Sequence, residues 1–221
     1  MAENGKGLAV IFDLDGVLVD TGWAHLQSWN DLAEKEDFEH SDEFFYRTFG
    51  MPNYRILPML IPGISDGDIE LLSNWKESRY RGIIEHKLSL ADEVLVLLDD
   101  LRDNGFALAI GSSAPRDNLE MILQRTGLSE YIETYVTKND ITQGKPAPET
   151  FLKAAQKLNV SPNRCVVVED AVQGIEAAIA AGMKVIAITS TRQRKDLADA
   201  DRIVDSLAEL RASDFAELLR S

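Results

Sequence analysis

Cysteine, histidine and basic side chains are scarce in this 221-residue chain. It has one cysteine, three histidines, and 23 Lys and Arg against 37 Asp and Glu, a formal net charge of −14. A single cysteine excludes a disulfide framework, and Cys165, inside "RCVVVED", reads as a small core residue rather than a catalytic thiol. The acidic surplus leaves no basic face for nucleic acid or an anionic membrane, so neither is expected as a partner. No stretch approaches the roughly 18 consecutive apolar residues of a membrane span. The opening residues "MAENGKGLAVIFDLD" do not read as a secretion signal, because the apolar run is short and leads straight into acids. A cytoplasmic, soluble protein is expected. No repeat or low-complexity tract is visible. With 45% hydrophobic residues the chain can bury a sizeable core, as one large domain or two smaller ones.

Four short apolar runs, each closed by polar residues, stand out: "LAVIFDLD", "FALAIGSS", "CVVVED" and "KVIAITST", with a weaker fifth at "YVTKND". Runs that are apolar throughout are the mark of strands buried on both faces of a parallel sheet. Helical patterns alternate with them. Val94, Leu97, Leu98 and Leu101 end at Asn104-Gly105, and Leu119, Ile122 and Leu123 end at Gly127. "PETFLKAAQKL" starts with Pro148 in a first-turn position, and "AVQGIEAAIAA" stops at Gly182. This alternation predicts an α/β fold built on a doubly wound parallel sheet, whose ligands sit at the carboxyl ends of the strands.

Residues 22–88 break the pattern and read as helices only: "AHLQSWNDLAEKE", "SDEFFYRTF" and "DIELLSNWKESRYRGII", the last introduced by a capping box at Ser65-Asp66-Gly67-Asp68. All the tryptophans lie here, and half of the aromatics fall between Trp23 and Tyr54. We expect a small all-helical domain with its own core, inserted after the first strand, with residues 1–21 and 89–221 forming the α/β domain. The aromatics are expected mainly to pack.

Residues i and i+2 of a strand point the same way, so Asp13 and Asp15 in "FDLDGVLVD" are expected to project together from a strand end, with Gly16 freeing the turn. Glu169 and Asp170 end "CVVVED" in the same manner. Four carboxylates at one sheet edge repel one another and are costly to desolvate. A hard divalent cation resolves the conflict, and oxygen ligands without nearby His or Cys favour Mg²⁺ over zinc. Capping of the following helices would account for one acidic pair but not for two converging ones. "FALAIG" ends in Ser112-Ser113 ahead of a helix near Pro115, where a hydroxyl and free amides suit a phosphate. Lys145, between Gly144 and Pro146, would balance the acids and bind a phosphoryl oxygen. Carboxylate nucleophile, metal, hydroxyl and lysine together describe a phosphoryl-transfer site.

The motifs "DLDGVLVDT", "GSS", "GKPAPE" and "VVVEDAVQG", in that order and spacing, resemble the haloacid dehalogenase superfamily, in its phosphatase and β-phosphoglucomutase branch with a helical cap after the first strand. The resemblance covers nearly the whole chain. It implies that Asp13 attacks phosphorus to form an aspartyl-phosphate, and that Asp15 protonates the leaving oxygen and then activates water. It also implies that Ser112, with Ser113 beside it, and Lys145 hold the phosphoryl oxygens. Asp13, Asp15 (through its carbonyl), Asp170 and Glu169 would hold Mg²⁺, Glu169 directly or through water. Acidic neighbours are expected to raise the Asp15 pKa, so that it carries its proton.

In the cap, His25 and Lys76 match positions that mutases and phosphatases both use, with helix packing and a surface charge as the plainer readings. Asn53 stands in "FGMPNY" where mutases place an arginine for a second phosphate, which favours a phosphatase over the mutase alternative. Asp20 is expected to be a turn or hinge residue, and His40 and His86 exposed helix-end residues without a special role. Dehalogenase activity is disfavoured by Asp15, a carboxylate that those relatives lack. A phospho-receiver switch is disfavoured because Lys145 precedes Glu169-Asp170 and a large helical insert splits the chain. A binding module that kept only the fold is disfavoured because both aspartates are intact. The expected function is Mg²⁺-dependent hydrolysis of a small phosphorylated metabolite by a monomer.

Overall fold

The computed structural model describes residues 7–220 apart from positions 86 and 89; His86 and Ser89 therefore lie outside the described residues. Strand β1 (Leu8–Phe12) leads into four helices, α1 (Gly22–Glu36), α2 (Asp42–Thr48), α3 (Asn53–Leu60) and α4 (Asp66–Ile84). Alternation then begins with α5 (Asp92–Asp103), β2 (Phe106–Gly111), α6 (Arg116–Thr126), β3 (Thr134–Val136), α7 (Glu149–Leu158), β4 (Cys165–Glu169), α8 (Val172–Ala180) and β5 (Lys184–Ile188). A short strand β6 (Arg202–Val204) and α9 (Ala212–Leu218) follow. The strands form one sheet in the order β3-β2-β1-β4-β5-β6, with every pairing parallel. The predicted fold class is the observed one, an α/β doubly wound sheet.

The strands are apolar throughout because each face of the sheet packs on its own layer. Val10 and Phe12 of β1, with Val166 and Val168 of β4, face a cluster that includes Leu97, Leu98, Leu119 and Phe215. Their neighbours Ala9, Ile11, Cys165 and Val167 face Phe151, Ala154 and Ala178 on the opposite side. Cys165 is fully buried, and burial pushes its thiol up to about 12, so it stays protonated as a small core residue.

The helical stretch has a third cluster of its own, in which Trp29, Leu32, Phe45, Ile56, Leu57 and Leu72 pack together. The bases of α1 and α4 also reach the sheet, since Ala24, Tyr80 and Ile84 join the layer containing Val10 and Phe12. Ser65 caps α4 by accepting from the Asp68 amide at 3.2 Å, as the capping box predicts. Helix α3 is not among the expected helical segments, and it runs through Pro58, a residue that disfavours helix interiors. Burial of Ile56 and Leu57 holds that short helix regardless. Pro148 sits one position before α7 rather than within it, still where no helical N–H is needed. His40 is half-buried rather than exposed. It stacks on Trp29 at 6.1 Å and shares a 2.8 Å hydrogen bond between Nδ1 and the Asn30 side chain.

Candidate active site

The site grows from the carboxyl ends of β1 and β4. The Asp13 amide still donates to the Val168 carbonyl at 2.9 Å, one step past the last residue of β1. The chain then turns, with Gly16 donating to the Val19 carbonyl at 2.8 Å. Only glycine serves at this position: its φ is +87°, and an added Cβ would lie 2.4 Å from Asp170 Oδ2. That close approach brings Asp170 and its neighbour Glu169 up to Asp13. Carboxylate oxygens of Asp13, Glu169 and Asp170 lie within 4.8 Å of one another, and all three residues are buried.

Lys145 reaches this cluster from the loop before α7. Its Nζ donates to Asp13 Oδ1 at 2.5 Å and to Glu169 Oε1 at 2.6 Å, while standing 4.8 Å over the Phe151 ring. The other Glu169 oxygen accepts from the Asp170 and Ala171 amides, both at 2.8 Å. Burial would lower the Lys145 pKa, but the charges of Asp13 and Glu169 outweigh it and hold the ammonium above its ordinary value. One ammonium does not neutralise three buried carboxylates. Burial, with the charges of Glu169 and Asp15, pushes Asp13 up to about 7 against the opposing pull of Lys145. Asp170 is likewise raised, by burial and by Glu169 and Asp13. A buried, oxygen-only cluster with unbalanced negative charge is the donor set that suits a hard divalent cation, so the residues present fit one.

Asp15 behaves differently from the strand-parity expectation. Because β1 ends at Phe12, the i, i+2 rule no longer applies, and the Asp15 carboxylate has partners of its own. Oδ1 accepts from the hydroxyl of Thr21 and from Tyr80 at 3.2 Å, and His25 Nε2 stands 3.5 Å away. Burial would raise its pKa. The hydrogen bond from His25, with that from the Thr21 hydroxyl, outweighs burial and lowers it. The expectation of a raised Asp15 is thus overturned: the groups that touch its carboxylate are donors, not acids.

His25 stacks on Tyr80 with ring centroids 3.9 Å apart, and its Nδ1 is 2.7 Å from Lys76 Nζ. An ammonium can only donate, so Nδ1 accepts and the ring proton sits on Nε2, facing Asp15. Lys76 is 2% exposed, which removes the surface-charge reading. It lies 5.4 Å from the Trp29 ring centre and bonds Glu77 at 3.0 Å. Buried Glu77 also accepts from Asn53 at 2.8 Å and from Asn118 of α6 at 2.5 Å. Burial would raise Glu77, but Lys76, His25 and the two amides hold it at about 2.

On the neighbouring strand, the Ser112 amide donates to the Val136 carbonyl at 2.9 Å, and its Oγ accepts from the Ala114 amide at 3.0 Å. Ser113 follows, partly exposed. Asp13, Asp15, Ser112, Ser113, Lys145, Glu169 and Asp170 all line one cavity of about 990 Å³, whose other wall carries His25, Asn53 and Lys76. Asp20 lies apart, exposed, with its carbonyl accepting from the Trp23 indole at 3.1 Å, as a turn residue does.

Sequence reasoning missed Thr21, Glu77, Tyr80, Asn118 and the pair Thr191-Arg192. For some a signal existed. Thr21 closes the quoted "DGVLVDT", Tyr80 stands one helical turn from Lys76, and Thr191-Arg192 follow a strand at the sheet edge where ligands gather. Nothing in the sequence marks Asn118 or Glu77, whose pairing joins positions 41 residues apart.

Residues 10–188 match the family model for haloacid dehalogenase-like hydrolases. A fructose-1-phosphate phosphatase of Escherichia coli (strain K12) is 32% identical over 84% of this chain and 97% of its own length. A β-phosphoglucomutase of Bacillus subtilis (strain 168) is 31% identical over 91% of each chain. The crystal structure of a β-phosphoglucomutase from Clostridium difficile matches with a TM-score of 0.87 at 26% identity, covering 97% of this chain and 98% of the other. With four-fifths of its length matched and its sheet-edge motifs assembled in one cavity, this chain belongs to the haloacid dehalogenase-like hydrolases.

Proposed function

We propose that this enzyme hydrolyses a small phosphorylated metabolite of the sugar-phosphate class through an aspartyl-phosphate on Asp13, with residues 1–21 and 89–221 as the catalytic domain and 22–88 as its cap. The observation that carries the reading is the segregation of the two aspartates. Asp13 sits with Lys145 and the acids of β4, and Asp15 sits with Thr21, His25 and Tyr80.

An Asp13 oxygen bonds to phosphorus as the bond to the leaving oxygen breaks, and Asp15 gives that oxygen a proton. Water then attacks phosphorus, Asp15 takes its proton, and Asp13 departs as the carboxylate with phosphate released. His25 Nε2–H, held in orientation by Lys76, faces the Asp15 carboxylate and, with Thr21 and Tyr80, fixes its orientation towards the leaving oxygen. Lys145 and the Ser112-Ser113 turn hold the phosphoryl oxygens, and the cap excludes bulk water while the leaving group is protonated. Asp13, the Asp15 carbonyl, Asp170 and Glu169 would hold Mg²⁺, which when bound supplies charge neutralisation for the incoming phosphoryl group.

The substrate class follows the sugar-phosphate phosphatases among the relatives. A phosphosugar mutase is the second reading, favoured by the likeness to β-phosphoglucomutases. Against it, Asn53 is tied to the buried Glu77 carboxylate and offers no cation for a second phosphate. The acidic surplus supports a small-molecule partner, acted on by a cytoplasmic monomer. No helix among the described residues is long and apolar enough to cross a membrane.

The test is inorganic phosphate release across a panel of phosphorylated metabolites, with and without Mg²⁺, comparing wild type with Asp13→Asn. Metal-dependent release that vanishes in the variant is expected. Release that survives Asp13→Asn would refute the nucleophile, and interconversion of glucose phosphates without release would install the mutase.

A further inference from the structure

Helix α2 ends at Thr48, and Phe49, which caps it, turns away from the helix (ψ 134°), leaving its carbonyl without a partner in a following helical turn. That carbonyl accepts from the guanidinium of Arg192, Nη2 to O at 2.9 Å. Arg192 belongs to the sheet, in the loop after β5, so the bond crosses from the α/β layer to the helical one. The guanidinium is pinned in orientation, since its Nη1 donates to the Thr191 carbonyl at 3.0 Å. Thr191 in turn donates its hydroxyl to the Asp170 carboxylate and stands 3.2 Å from the Asp170 carbonyl.

An unbroken polar chain therefore runs from Asp170, through Thr191 and Arg192, to the first carbonyl of the segment at 49–53. That segment walls the cavity. Gly50, with φ +88°, lets it pass low over the sheet edge, where an added Cβ would meet the Ala171 Cβ at 3.7 Å. Three residues later Asn53 opens α3 and bonds Glu77. Because Arg192 grips a backbone carbonyl, the contact holds the segment whatever side chains it carries.

We infer that Arg192 is a positioning residue: it clamps the 49–53 segment of the cap onto the sheet and, through Thr191, sets that segment relative to Asp170. The role in turnover rests on the phosphatase reading above; the clamp itself does not. A charge-assisted hydrogen bond of this kind changes a local opening equilibrium by about tenfold or more.

The experiment compares wild type with Arg192→Ala and Arg192→Lys, read first by amide hydrogen exchange without substrate or metal. Peptides covering residues 45–57 are expected to exchange about tenfold faster in Arg192→Ala and closer to wild type in Arg192→Lys, with peptides from β4 and α8 unchanged. Unchanged exchange at 45–57 overturns the clamp. Should Arg192→Ala not fold, the same comparison with Arg192→Lys decides, with intermediate exchange at 45–57 expected, since a compact ammonium lacks the planar fork that spans both carbonyls.

The second readout is turnover. For the best metabolite of the panel, kcat/KM is expected to fall about tenfold in Arg192→Ala, while hydrolysis of acetyl phosphate, whose leaving group is too small to need the cap wall, stays within about twofold. An equal loss on both overturns positioning in favour of damage to Asp170. If wild type releases phosphate from no compound, the phosphatase reading fails, and exchange at 45–57 still decides whether Arg192 clamps.

Discussion

Glu77 offers the sharpest test of the electrostatics that hold the cap wall together. It is 6% exposed and accepts from Lys76, Asn53 and Asn118, so its charge is worth keeping only while those donors surround it. These partners lower its pKa from the ordinary 4.5 to about 2. The folded state therefore binds fewer protons than the unfolded chain between those two values, and stability rises with pH across that window. Each pH unit is worth about 1.4 kcal/mol, so the ionised carboxylate contributes about 3 kcal/mol above pH 4.5, lost progressively as pH falls towards 2.

Glu77→Gln keeps the shape and one acceptor but leaves the Lys76 ammonium buried without a counter-charge. We expect it to cost about 3 kcal/mol at pH 7, a drop of roughly 10 °C in Tm for a chain of this size. At pH 3 the wild-type advantage should shrink to about 1 kcal/mol, because most of the linkage has already been lost. Urea unfolding of both proteins at pH 7, 5 and 3 measures this, with equal m-values required for the comparison. A difference below about 1 kcal/mol at pH 7, or one that stays constant from pH 7 to 3, would refute the claim that ionised Glu77 is held by its donors.

Gly174→Ala is expected to be severe although alanine favours helices, because the new Cβ would lie 1.8 Å from Glu169 Oε1. The carboxylate cannot step aside without leaving Lys145 or the two amides that bind it. A loss of about 2–4 kcal/mol in thermal or chemical unfolding is expected. A neutral substitution would show that Glu169 has room the packing denies. Cys165, fully buried with its thiol pushed up to about 12, should react with a thiol reagent at pH 8 only after unfolding, giving one equivalent in denaturant and none without. Fast labelling of the native protein would contradict its burial.

The strands and the motif residues were legible because each rests on local chemistry. An apolar run closed by "DLD" or "VED" encodes both burial on two faces and an acidic strand end, and β1 and β4 appear where those runs lie. Other elements carry too little local signal. Strand β6 is three residues at the sheet edge, and α3 runs through Pro58 on the strength of two buried side chains. At the site, Lys145 was readable from its rigid loop. The environment of Asp15 was not, since Thr21, His25 and Tyr80 reach it only once α1 and α4 are folded over the strand end. Hence the acid cluster was foreseen while the sign of the Asp15 shift was missed.

That missed sign bears on how two aspartates two positions apart can take the opposite roles proposed for them. If both pointed into one cluster, each would raise the other, and neither would have a distinct protonation state. Ending β1 at Phe12 separates them. Asp13 stays on the sheet, buried, where its Oδ1 accepts from the Lys145 ammonium at 2.5 Å. Asp15 turns to the helices, where His25, with its Nδ1 bound to the Lys76 ammonium, presents its Nε2–H to the carboxylate. The low Asp15 pKa then describes the site before substrate arrives. In the proposed reaction, a leaving oxygen that gains negative charge as its bond to phosphorus lengthens is the acceptor for a proton carried by the Asp15 carboxyl, and the helices place Thr21, His25 and Tyr80 to hold that carboxyl in position.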